Sequence, residues 1–169
     1  MRGAVAGLVL GWRAVGGYVD GSFDVDVVSS TCSEAVGRGM SKTVQGCFGK
    51  VLLELGGNNA AVVMPSADLN IVLPARPREP AIAILHRVNA EDRVWSMDSS
   101  APVLTVGVFD EREQPIEWSN SLSQGLSSDL WTGDVRNVEK WAGPAGSDAE
   151  IVIVNVSTSG EEIGAAFGG

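Results

Sequence analysis

The chain has 169 residues, 44% of them hydrophobic, and a formal net charge of -9. That is enough apolar material for a core, and no basic patch offers itself to nucleic acid or to an anionic membrane surface. Two cysteines, Cys32 and Cys47, and a single histidine, His86, make neither a disulfide framework nor a metal-ligand spacing. No metal is expected, and a reduced, cytoplasmic chain is the default.

The apolar run at residues 3–12 is too short to span a bilayer. Arg13 follows it at once and no small-x-small cleavage site appears, so it reads as an interior segment of a larger fold. Apolar residues alternate with polar ones over residues 23–29, the mark of a strand. Ser33 then suits an N-cap, with Glu34 in the first turn. Val36, Met40, Val44, Cys47 and Phe48 fall on one helical face, weakened by Gly37, Gly39 and Gly46 and stopped by Gly49. A second strand follows at residues 51–55. This is a strand–helix–strand unit.

Leu52-Leu53-Glu54-Leu55 places one carboxylate in an apolar strand, which Gly56-Gly57-Asn58-Asn59 then breaks. A buried carboxylate is costly unless it is paired, protonated or functional. Burial moves a carboxyl group toward the range of a general base. An ordinary strand residue with a satisfied hydrogen bond is the alternative reading of Glu54.

Pro74, Pro77 and Pro80 stop any helix, so the boundary is placed between residues 1–75 and residues 76–169. Strands are expected at residues 103–109, 125–131 and 150–156. Helices are expected at residues 115–122 and after the cap Asp134, where Val135, Val138 and Trp141 share a face. Strand, helix, strand, helix, strand predicts a parallel sheet covered by helices, an α/β fold. The tryptophans read as core rather than as a base-stacking platform. Asn155-Val156-Ser157 is a glycosylation sequon, meaningful only in a secreted protein.

Residues 52–64 with Ala67-Asp68-Leu69-Asn70 resemble the general-base segment of the aldehyde dehydrogenase superfamily, and Asn58-Asn59 after the glycine pair resembles its antiquitin branch. Gly125-Leu126-Ser127-Ser128, Gly146-Ser147-Asp148, Val154-Asn155-Val156, Thr158-Ser159-Gly160 and residues 162–169 agree, in the family's order. The resemblance implies part of a Rossmann-like NAD-binding region in residues 1–75 and part of a catalytic domain, with its parallel βαβαβ sheet, in residues 76–169. It implies NAD(P)-dependent oxidation of an aldehyde to the acid, with a thiolate nucleophile and a base-activated water.

On this match Glu54 is the base, and Ser33, Leu55, Gly56 and Asp98 lie on the cofactor side. Ser30-Thr31-Cys32-Ser33 stands where the family has Phe-Thr-Gly-Ser, so Ser33 keeps the hydroxyl while Cys32 replaces the glycine. Asp98 stands for the glutamate and Ser100 for the phenylalanine of a Glu-x-Phe motif that holds the nicotinamide and its ribose. Ser159, Gly160 and Glu161 occupy the substrate-anchoring loop, where the family usually has a small residue at the position of Glu161. The nucleophile segment falls in the gap after Ala75. Neither Cys32 nor Cys47 replaces it, because both precede Glu54. Two readings follow: an aldehyde dehydrogenase acting on an aldehyde or semialdehyde, and a non-catalytic remnant or interaction module. The family's oligomeric habit implies a homo-oligomer or association with a full-length relative.

Overall fold

The computed structural model describes residues 6–74, 82–99 and 101–158. The chain divides into two compact units, Met1–Gly56 and Gly57–Gly169. The division falls at the glycine pair, upstream of the proline cluster, because the apolar run after Asn58-Asn59 pairs within the second unit. The expected α/β character is borne out: among the described residues every strand pairing is parallel.

In the first unit, helix α1 (Arg13–Asp20) precedes strand β1 (Val27–Thr31), helix α2 (Glu34–Gly46) and strand β2 (Lys50–Glu54). Strand β1 starts later than its alternation suggests, because Ser22 to Val25 closes a turn: Val25 N donates to the Ser22 carbonyl and Asp24 N to the Ser22 hydroxyl. The two strands pair from Val27–Lys50 to Thr31–Glu54. Val44 is the one hydrophobic residue buried here among the described residues, at 1% exposure. Helix α2 ends before Phe48, which leaves the expected apolar face. Cys47 caps the helix, Phe48 turns to φ 62° and is 94% exposed. The chain reverses there as the Gly49 amide donates back to the Val44 carbonyl. A Cβ on Gly49 would meet Val44 Cγ1 at 2.7 Å, so the glycine serves the close approach and Phe48 takes the left-handed turn.

In the second unit, strand β3 (Ala60–Val63) is followed by one helical turn, α3 (Leu69–Val72), capped by Asp68, which accepts from Asn70 N at 2.9 Å. Strands β4 (Ala83–His86) and β5 (Val103–Val106), helix α4 (Gln114–Asn120), strand β6 (Ser127–Trp131), helix α5 (Val135–Ala142) and strand β7 (Ile151–Val154) complete the described chain. The strand and helix positions expected after residue 102 are found, but β5 leaves the main sheet. It pairs with β4, and the three-stranded sheet runs β3-β6-β7. The apolar Ala60–Val63 takes the place beside β6, in register from Ala60–Ser128 to Val63–Trp131. Central β6 is buried along its whole length. Val62, Met64, Leu130 and Trp141 form the core, with Phe109, Ile116 and Val152 packed against it. Trp141 enters this core from α5, as its helical spacing predicts.

Candidate active site

Glu54 closes β2 at the C-terminal edge of the parallel pair, the edge at which α/β sheets bind ligands. It is half-buried. Its carbonyl accepts from Cys32 N at 3.0 Å, which continues the ladder one residue beyond β1 and fixes the turn before α2 against the end of β2. The structure thus brings the segment of Cys32 and Ser33 to the segment of Glu54, Leu55 and Gly56. Ser33 is the N-cap that the sequence predicts: its hydroxyl accepts from Val36 N at 3.4 Å. Leu55 packs back onto α2, where a Cβ on Gly37 would come within 2.4 Å of Leu55 Cδ2. Gly37 weakens the helix by propensity and permits this contact.

The first turn of α2 supplies amides of the kind that accept a phosphate. Two side chains oppose a dinucleotide there. Cys32 adds bulk where the backbone must approach closely, and the Glu34 carboxylate sits in the same turn, paired with Arg38. The turn is therefore a poor fit to a dinucleotide pyrophosphate.

Asp98 belongs to the other unit and is exposed. Ser100, Ser159, Gly160 and Glu161 lie outside the described residues. Among the described residues no group of three or more His, Cys, Asp or Glu side chains is placed to hold a metal ion. No described helix is long and apolar enough to cross a membrane.

The asparagines after the glycine pair have structural work. Asn58 Nδ2 donates to the Trp95 carbonyl at 2.8 Å, and Asn59 Oδ1 accepts from Ser127 N at 3.2 Å at the head of β6. Sequence reasoning missed a polar hub at the C-terminal ends of β3, β6 and β7. Thr132 Oγ1 accepts from Asn137 Nδ2 at 3.0 Å and Asp134 N at 3.1 Å, and lies 2.9 Å from Ser66 Oγ. Ser66 Oγ in turn accepts from Gly133 N at 3.2 Å. Asn155, noted in the sequence as a sequon and within a family-like run, bonds to both backbone groups of Thr132 and sits at φ 57°. A partial signal was available: Asn155 directly follows the apolar Ile151–Val154 and suits left-handed backbone.

The helix α5 that follows the hub carries two surface ion pairs. Asp134 accepts from Arg136, with Nη2 at 2.8 Å from Oδ2, and Lys140 meets Glu113. The Arg136 guanidinium holds the Asp134 carboxyl below its ordinary range, and the Lys140 hydrogen bond does the same for Glu113. The Lys140–Glu113 pair is exposed, as is Arg136, while Asp134 is half-buried, and such surface pairs are of modest worth.

Parallel strands, a capped helix between two of them, and a carboxylate at their C-terminal edge define a protein of the α/β class. The aldehyde dehydrogenase family model matches residues 3–76 and 79–169, and the chain belongs to that family. It is 28% identical to alpha-aminoadipic semialdehyde dehydrogenase of Mus musculus in an alignment 256 positions long, covering 100% of this chain and 48% of the relative. It is 27% identical to aldehyde dehydrogenase family 7 member A1 of Pisum sativum, covering 100% of this chain and 50% of the relative. Among solved structures, an oxidoreductase from Marinobacter aquaeolei superposes with a TM-score of 0.80 at 18% identity, over 95% of this chain and 51% of that one. Betaine aldehyde dehydrogenase of Staphylococcus aureus, in complex with NAD+, gives 0.77 at 14% identity, over 88% of this chain and 47% of that one. The chain spans about half the length of the curated relatives it matches. The break in the family match, between residues 76 and 79, falls in the proline cluster.

Proposed function

We propose that this chain is a member of the antiquitin branch that retains the water-activating base of aldehyde oxidation without the nucleophile it serves. One observation carries the reading. Glu54 lies at the C-terminal edge of β2 inside the family match, and both cysteines of the chain precede it. In the reaction the family name implies, an aldehyde or semialdehyde becomes an acid by way of a thioester, and NAD(P) takes the hydride. Glu54 would accept the proton of the water that hydrolyses that thioester. The first unit, up to Gly56, would belong to the cofactor side of such an enzyme, and the second, with β3 beside β6, to its catalytic side. The first turn of α2, with Cys32 and Glu34, argues for weak cofactor binding by this chain alone, and the cysteine content suits a cytoplasmic setting.

Purified protein with NAD and a panel of aldehydes tests this by the absorbance of reduced cofactor. The expected result is no turnover above buffer, since loss of a covalent nucleophile costs many orders of magnitude. Turnover that disappears in Glu54→Gln would overturn the reading and establish a complete enzyme. The second reading, a non-catalytic module that associates with a full-length relative, is supported by the apolar surface of the first unit. Among its described residues Leu10, Trp12, Tyr18, Phe23 and Phe48 are all exposed.

A further inference from the structure

We draw no further inference here: the strongest candidate, the cavity between α4 and α5 lined by Arg112, Lys140 and Trp141, whose buried indole Nε1 has no partner, holds about 20 Å³, room for a water rather than a ligand, and the Glu113 and Asp134 carboxylates already offset the charge of its cations.

Discussion

The side chain of Asn155 clasps the backbone of Thr132: Nδ2 donates to the Thr132 carbonyl and Oδ1 accepts from the Thr132 amide, each at 2.9 Å. A side-chain amide here extends the pairing of β7 with β6, satisfying both groups of one residue just past the end of β6. The backbone of Asn155 is left-handed, a conformation asparagine tolerates.

Asn155→Ala loses both hydrogen bonds and puts a Cβ-bearing residue without local compensation at positive φ. We expect a loss of about 2–4 kcal/mol, from two hydrogen bonds of about 1 kcal/mol each and about 1–2 kcal/mol for the backbone. Asn155→Gly keeps the backbone and should cost less. Urea titrations of the two variants check the order. The same geometry bears on the sequon, since the nitrogen that would carry a glycan is the one that donates to Thr132.

Asp134 caps α5 and is held in its charged form by Arg136. Its folded-state pKa is depressed, so its contribution is full above the unfolded pKa and is lost as pH falls through the folded one. Asp134→Asn keeps a capping side chain and removes the titration. The variant should therefore differ from wild type at pH 6 and converge with it in strong acid. Thermal midpoints measured across the acid range would show this.

Gly37→Ala sets propensity against packing. A helix interior gains about 1 kcal/mol from alanine over glycine. The added methyl meets Leu55 Cδ2 at 2.4 Å, and Leu55 must turn away. We expect no net gain in the single variant and the full gain in Gly37→Ala with Leu55→Ala. A double-mutant cycle by denaturant unfolding reads the coupling.

Leu130 is 1% exposed at the centre of the β3-β6-β7 sheet. Leu130→Ala should cost about 2–5 kcal/mol, the range for a leucine truncated in a core. Leu69→Ala, at an exposed position of α3, should cost under about 0.5 kcal/mol. Chemical denaturation of both gives the contrast.

The helical elements of the last third were legible because Asp134, Pro115 and Gly143-Pro144 mark helix ends through local chemistry. Ser33 was legible as a cap for the same reason. Strand membership was not, because periodicity says that residues 103–109 form a strand and is silent on which strand they meet. Ala60–Val63 and Val103–Val106 are both short apolar runs, and only the tertiary fold assigns β6 to the first. Phe48 misled for a different reason. Apolar spacing placed it on the helix face, yet the tight approach of Gly49 to Val44 forces the turn one residue earlier. Around β2, the sequence placed Glu54 at a strand end and Ser33 at a helix N-cap, and the structure has both there. It did not show that the Cys32 amide, through the Glu54 carbonyl, is what holds their two segments together.

The register that seats β3 beside β6 also sets a delay. Ala60 pairs with Ser128, and translation produces Ala60 first. At ordinary elongation rates roughly three to fourteen seconds pass before its neighbour is synthesised. For that interval Ala60–Val63 is an unsatisfied apolar edge on a growing polypeptide, so nascent-chain chaperones should engage this protein well before its central strand leaves the ribosome.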